Sequence, residues 1–414
     1  MRIAFIVGKF PTVSETFILN QIVGLIERGQ EIEIYAQQPG DTAKIHPDVE
    51  RYQLLERTYY VPEQRPANHL IYVIKAIGLL LANFHKNPVA FARSLNVFKY
   101  GKEAASLRML YTTFSLLPFL SNKPYDIIHC QFGPLGFLGM YFRTIAASRA
   151  KLIISFRGSD LTMYLSQYGD DIYKKLFEKG DCFLPICNHF KNKLISLGCN
   201  EKKIIVLRSG IDCNRFSFKT RYPHPDGKVR IVSTGRLIEK KGIEYGIRAI
   251  AKLTKMNLDL EYNIIGDGSL KPDLQQLIQE LDVGNIVNLL GWKQQHEVVQ
   301  ILNDSHIFVA PCVTSKDNNQ EGIPNVLKEA MAMGLPVAST YHSGIPELVE
   351  DGVSGFLVTE RDVDALTGKL GYLIAHPEVW PEMGAAGRAY VEKHYEIGQL
   401  NDHLVEIYEK LLIT

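Results

Sequence analysis

Little in the chain marks a secreted, disulfide-built or nucleic-acid-binding protein. Its six cysteines (Cys130, Cys182, Cys187, Cys199, Cys213 and Cys312) are scattered over 414 residues with no CxxC pair. That spacing points to reduced, mostly structural thiols. Neither sign of charge dominates: 46 Lys and Arg stand against 45 Asp and Glu, so no bulk attraction to nucleic acid is expected. The longest apolar stretch, LIYVIKAIGLLLANF at 70–84, has 15 residues and contains Lys75, short of the roughly 20 that span a bilayer. The opening MRIAFIVGKF enters a strand pattern directly, without a signal-peptide layout. Cytoplasm is the compartment this predicts, and 46% hydrophobic with 22% charged residues is ordinary for a globular protein.

Chemical signatures are missing too. The dinucleotide fingerprint is absent, because GDGSLK (266–271) lacks the third glycine and GPLGFLG (133–139) has the wrong spacing. An NAD-linked oxidoreductase is therefore disfavoured. No zinc cluster or nucleophile elbow is visible. The DVD at 362–364 resembles a metal-binding DxD, but it opens a helical segment, where Asp serves as a cap. Tandem repeats are lacking as well.

What is present is an alternation of short apolar runs with helical patterns. RIAFIV, SETFILNQIVGLIERGQ and EIEIYA read strand, helix, strand, with Thr12 and Glu15 as a capping-box candidate. DIIHCQ (126–131), KLIISF (151–156), CFLPI (182–186) and KIIVLR (203–208) continue the strands. Residues 209–228 lose the period and hold two Pro and two Gly with their flank, as a linker does. The same grammar then restarts at 229 and includes a helix through Lys255. The expectation is an α/β architecture of two Rossmann-like, doubly wound domains facing a cleft. The first covers 1–208, the linker 209–228 and the second 229–394, with a last helix, about 395–414, that can pack back on the first.

Between Arg65 and Lys123 lie eight Lys or Arg (Arg65, Lys75, Lys86, Arg93, Lys99, Lys102, Arg108, Lys123) and one acid, Glu103, interleaved with aromatics such as Tyr72, Phe84, Phe98 and Tyr100. Solvated helices with a basic face would explain this. A surface resting on anionic lipid would explain it too.

Several loops at strand ends can face the cleft. In STGRLIEKKGIEYG, Arg236 and Lys241 suit a diphosphate, one as a fork of donors and one as a mobile charge. Arg236 could instead pair with Glu239 or Glu244. In NNQEGIPNVLKEAMAMG, Glu321 stands before a helix start and Glu329 inside the helix, with Pro324 suited to the first helical position. Leu327, Ala330, Met331 and Gly334 make the packing stripe, and Glu329 lies off it. Free amides from Gly322 through Ile323 and Asn325 to Val326 could take a phosphate, while carboxylates accept from sugar hydroxyls. Two acids beside a phosphate would repel it unless Arg236 and Lys241 are also there. Gly266 and Gly268 permit close backbone approach to a ligand, or simply form a turn. In the first half Gly8, Lys9 and Phe10 follow the first strand, His129 and Gln131 end another, and Arg157 and Asp160 lie in SFRGSD.

GRLIEKKG, IIGDGSL, LLGW, VAPC, EGIPNVLKEAMAMGLPVAST, SGIPELVEDGVSGFLV and FPTVSETFILNQI stand in an order and spacing that resembles family 4 glycosyltransferases, nearest to the bacterial exopolysaccharide (colanic-acid type) branch. The resemblance spans nearly the whole chain. It implies a GT-B fold and a retaining transfer from a nucleotide-diphosphate sugar, UDP- or GDP-linked, with no metal or other cofactor. By this resemblance Arg236 and Lys241 hold the diphosphate, Glu321 the donor sugar hydroxyls and Glu329 the ribose. Gly322, Ile323 and the neighbours of Pro324 meet the sugar and phosphates, and the backbone near Trp292 reads the base. Gly8, Gly266 and Gly268 belong to the donor side.

His129 is then the first candidate to assist the acceptor hydroxyl. Arg157 is a second phosphate-side cation, and Lys9, Phe10, Gln131 and Asp160 are acceptor-side candidates. The chain departs from the family pattern at Gln131 and Arg157, where many relatives have His, and at Lys9. The acceptor it implies is a lipid-linked sugar or polysaccharide, met in the cytoplasm or peripherally at the inner face of the plasma membrane. Other readings of the same fold are a nucleotide-sugar epimerase, a sugar phosphorylase and a non-catalytic nucleotide-sugar-binding protein.

Overall fold

The computed structural model describes residues 1–12, 15–40, 45–61, 68–117, 124–146, 149–254 and 259–413. For His69, Tyr100, Lys102 and Glu103 it describes the backbone alone. Arg65, Lys123 and Lys255, named above, lie outside the described residues.

RIAFIVGKF folds as strand β1 (Arg2–Phe10), buried continuously from Arg2 to Val7. Apolar side chains on both faces are what a parallel sheet covered by helices requires. β2 (Glu31–Pro39) and β3 (Thr58–Tyr60) lie on one side of it. β4 (Ile127–Gln131), β5 (Lys151–Phe156) and β6 (Cys182–Pro185) lie on the other, in the order β3-β2-β1-β4-β5-β6. The second sheet repeats the plan with β7 (Val229–Thr234), β8 (Leu260–Ile265), β9 (Val287–Gly291), β10 (Ile307–Ala310), β11 (Val337–Thr340) and β12 (Gly355–Val358). Its order is β12-β11-β10-β7-β8-β9, and neighbouring strands in both sheets run parallel. Each sheet reverses its direction of growth beside its first strand, between β1 and β4 and between β7 and β10. Ligands of doubly wound sheets bind outside the strand C-termini at that crevice.

Three local expectations need correction, and one strand, β3, was not foreseen. Gly8, Lys9 and Phe10 are not a loop: they close β1, where Lys9 pairs with Gln38 and Phe10 with Pro39. Residues 203–208 form no strand; a single bridge joins Ile204 to Phe183, because the chain there only brushes the edge of the sheet. The short strand β3 carries no alternation long enough to read from sequence. The first helix runs Thr16–Glu27 with Glu15 in the cap position and no side-chain cap bond, so Thr12 and Glu15 are not a capping box. Asp362 does cap its helix, Val363–Ala375, accepting from the Ala365 amide at 2.8 Å. All six thiols are unpaired and buried.

The stretch after β6 is tied to both halves. Arg221 is buried and donates to the carbonyls of Asn303 at 2.7 Å and Met333 at 2.6 Å. Ile211 makes a parallel bridge with Glu396, and from there the last helix, Ile397–Ile413, runs back over the helix Thr16–Glu27. Arg28 holds it by Asp402 at 2.6 Å and the Gly398 carbonyl at 2.8 Å. Gly24 is required at the crossing, since a Cβ there would stand 1.9 Å from Asn401 Nδ2. Leu404, Ile407 and Tyr408 join the same buried cluster as Ile3, Phe5 and Val7 of β1.

Candidate active site

The loop after β10 leads into the helix Asn325–Ala332. Leu327, Ala330 and Met331 bury its inner face completely, as the periodic stripe predicts. Pro324 sits one residue earlier than expected, as the cap with ψ 130° rather than the first helical residue. The following amides of Asn325 and Val326 have no partner within the helix. They line a cavity of about 410 Å³ together with Glu321, Arg236, Lys240 and Lys241 on one side and Glu15, Phe17, Phe132 and Arg157 on the other. The wall is thus shared by the two halves.

Glu321 is the electrostatic centre. Its carboxylate lies 3.0 Å from Lys240 Nζ and 3.2 Å from Lys241 Nζ. Burial opposes its charge, but the two ammonium groups, Lys241 first, hold its pKa down to about 2. Lys241 is likewise held above its ordinary value: burial works against the cation and Glu321 outweighs it. Lys240 was missed by the sequence reading, which singled out Lys241 alone beside the helix start. The adjacent Lys-Lys pair, 240 and 241, was the available signal. The Arg236 side chain is exposed and makes no hydrogen bond or ion pair with Glu239, Glu244 or any other described residue. That leaves its guanidinium available at the cavity edge.

Behind Glu321 stands His342, fully buried. Its Nε2 accepts the Glu321 amide at 3.0 Å, and its Nδ1 lies 2.6 Å from Glu360 Oε1. An acceptor at Nε2 requires the proton on Nδ1. Burial lowers the His342 pKa despite Glu360, which keeps that neutral tautomer. Glu360 is itself fixed by the Thr314 amide at 2.8 Å.

Glu329 points away from the packing stripe, as expected, and is half-buried. Among the described residues its carboxylate has no hydrogen-bond or ion-pair partner. Burial pushes its pKa up to about 7 against the pull of Lys328 and Lys241. Lys328 is buried outright and donates to the Ser209 carbonyl at 2.6 Å and Asn325 Oδ1 at 2.8 Å.

On the first-half wall, Arg157 donates to Gln21 Oε1 at 2.9 Å and to Gln131, and lies over the Phe17 ring at 4.6 Å. Burial lowers its pKa to about 10, with Asp160 and Glu15 opposing. Glu15 is the other group missed: its pKa is raised by burial, with Thr12 and Arg157 opposing. Read from sequence it looked like a helix cap.

His129 does not face the cavity, which corrects the expectation. It is fully buried beneath the last helix, with Nδ1 2.6 Å from Tyr408 Oη and Nε2 2.8 Å from Ser155 Oγ. Both ring nitrogens are engaged, and burial drops its pKa to about 3. Asp160 is also structural, its buried carboxylate gathering the amides of Gly133 at 3.0 Å, Arg157 at 3.0 Å and Gly158 at 2.8 Å. Gln131 is buried and reaches the cavity only through Arg157. Lys9 and Phe10 line a different, smaller recess with His46 and Val49. Gly8, with nothing within 4 Å of a Cβ, needs no glycine for packing.

The two glycines after β8 have a local reason. A Cβ on Gly266, whose φ is +143°, would lie 1.8 Å from the Gly235 carbonyl oxygen, and one on Gly268 would lie 2.5 Å from that of Leu237. The close approach is to the neighbouring backbone, which brings the Arg236 loop into place. Trp292 is 56% exposed at the end of edge strand β9 and is not on the cavity wall.

A parallel-sheet pair with cations and helix amides gathered at the facing strand ends makes a cleft suited to an anionic ligand, and comparison with known proteins gives it a family. Residues 14–215 match Glycosyltransferase Family 4 and residues 214–390 match Glycosyl transferases group 1. The chain is 35% identical to the putative colanic acid biosynthesis glycosyltransferase WcaL of Escherichia coli K12 over 99% of its own length and 100% of that protein's. It is also 35% identical to the amylovoran biosynthesis glycosyltransferase AmsK of Erwinia amylovora, over 99% and 100%. The chain belongs to the family 4 glycosyltransferases and has the GT-B fold. Among solved structures it is similar to Anabaena HepE in complex with UDP, with a TM-score of 0.71, 16% identity and coverage of 99% and 100%.

Proposed function

We infer that this glycosyltransferase moves a sugar from a UDP- or GDP-linked donor to a lipid-linked or polysaccharide acceptor in cell-surface polysaccharide synthesis, retaining the anomeric configuration and using no metal ion. The observation that carries this is the shared cavity, where Arg236, Lys240, Lys241 and two first-turn amides face Arg157 and Glu15. In this reading Arg236 and the lysines take the diphosphate, Glu321 the donor sugar hydroxyls and Glu329 the ribose. The bond from sugar C1 to the phosphate oxygen breaks with its electron pair on the phosphate, and the acceptor oxygen bonds C1 on the same face. The acceptor proton passes to the departing phosphate oxygen. The protein contributes position and charge rather than a nucleophile. Glu15 replaces His129 as the acceptor-side candidate, steadied by Arg157. The likeness to colanic acid and amylovoran biosynthesis glycosyltransferases supports the polysaccharide setting, and the basic segment 65–123 supports work at the inner membrane face. HepE forms a complex with UDP, and a GDP-mannose-dependent mannosyltransferase of Mycolicibacterium smegmatis is 27% identical over 299 residues.

The test is nucleotide release with UDP- and GDP-sugars in EDTA, with and without a polyprenyl-diphosphate sugar acceptor. Acceptor-dependent release is expected. Conversion of donor without acceptor would point instead to an epimerase, and a requirement for free phosphate to a phosphorylase. Glu321→Gln is expected to lower kcat by about a hundredfold or more; unchanged turnover would remove Glu321 from the donor site.

A further inference from the structure

The helix His69–Asn83 is apolar on nearly every side. A helix of that kind is normally enclosed, and half of this one is. Tyr72, Ala76, Leu79 and Leu80 pack inward on Phe91, Leu110 and Tyr111. The opposite side is open: Leu70 is 68% exposed, Ile74 61% and Leu81 76%, with Ile71 and Ile77 between them. Those five recur at helical spacing along one stripe. Farther along the same helical layer, Phe98 is fully exposed. Contiguous open apolar surface of this size marks an interaction site. Charge selects the partner. Residues 68–117 contain Lys75, Lys86, Arg93, Lys99 and Arg108, and no acid among those with described side chains. The helix is 15 residues long, too short to span but long enough to lie in the plane of a bilayer interface.

We propose that this stripe inserts among the acyl chains of an anionic bilayer while the surrounding lysines and arginines meet the headgroups. This deepens, and rests on, the reading that the acceptor is lipid-linked. Lys75 is exposed on the outer side, where a long stem lets its ammonium reach the headgroups while the neighbouring Ile74 enters the acyl layer. A second copy of the chain is a poorer occupant, because pairing this face with itself sets like charges together.

The experiment is co-sedimentation of the full chain with vesicles of phosphatidylcholine alone or mixed with phosphatidylglycerol. The variants are Ile74→Ser/Leu81→Ser and, separately, Lys75→Gln/Lys86→Gln. The wild type is expected to sediment with the anionic vesicles, and the apolar double variant to partition about tenfold less at high salt, where charge is screened. The lysine variant should lose binding chiefly at low salt. Failure of the wild type to bind anionic vesicles, equal binding to neutral ones, or unchanged binding by the apolar variant would each overturn the proposal. Sedimentation velocity showing a dimer that Ile74→Ser/Leu81→Ser dissociates, without vesicle binding, would also overturn it and give the face to a second copy. Thermal stabilisation by UDP or GDP on the same samples reads the cavity separately. Its absence would sink the donor reading and leave the vesicle result intact.

Discussion

At the scale of single residues, the chemistry is set by what surrounds Glu321. Two ammonium groups in front and one imidazole behind fix both its charge and its backbone. Replacing His342 by Leu leaves the Glu321 amide without its acceptor, whereas Gln can still accept through Oε1. His342→Leu is expected to raise donor KM and lower kcat/KM about tenfold, the scale of one buried hydrogen bond. His342→Gln should recover most of that. A fold defect alone would not be rescued this way, so equal losses in the two variants would refute the positioning role. Glu329 makes a prediction about pH. Its folded pKa is raised above the unfolded value of about 4.3, so the folded form binds the extra proton between that value and about 7. Stability is therefore full below the unfolded value and falls as pH rises through about 7. If Glu329 takes the ribose, as proposed, ionisation over the same range readies its carboxylate to accept from the hydroxyls, and donor KM should fall as pH rises from 6 to 8. Lys328 and Lys241 are the charges that face it. In Glu329→Gln both slopes should flatten, as urea titrations and donor kinetics at several pH values would show.

At the scale of elements, the loops after β7 and β8 are built as a pair. Gly266→Ala would drive a Cβ to within 1.8 Å of the Gly235 oxygen, in a backbone region side chains rarely occupy. A loss of roughly 2–4 kcal/mol is expected from clash and strain together, measured by denaturant unfolding. A near-neutral Gly266→Ala would show that the two loops are not interlocked. Sequence made this level readable wherever an element was long and periodic: the alternation of strands and helices, the buried stripe Leu327, Ala330, Met331, and the Asp362 cap all follow from local pattern. It failed where the outcome depended on what comes from far along the chain. Sequence read His129 at the open end of a strand, but it lies mid-strand in β4, and Tyr408 arrives from 279 positions away and seals it. Glu15 resembles a cap until Arg157 is seen across from it. Gly266 and Gly268 read as a turn before they read as ligand contacts, and the neighbouring backbone they press against is invisible in sequence.

At the scale of the whole molecule, the two halves are fastened across the cleft. Glu347, from the second half, receives the amides of Asn188 and His189, both at 2.9 Å, at the start of the helix Asn188–Ser196. Gly322 lies against Ile186, where a Cβ would stand 2.3 Å from that side chain. Glu347→Ala removes the cross-cleft cap, which is a cost of about 0.5–2 kcal/mol for a capping group. The expected result is a larger radius of gyration by small-angle scattering and a higher donor KM with kcat little changed. An unaltered scattering profile would show that the contact does not hold the halves together.

The bridge between Ile211 and Glu396 means that the chain passes from one half to the other twice, side by side. The protein is therefore not two beads on a string. A scissor cut near residue 209 would leave the first half without Leu404, Ile407 and Tyr408, three of the side chains that close its core. Anyone wishing to produce the first half by itself must graft the last helix back onto it, and a split version of this enzyme would have to trade that helix between its pieces.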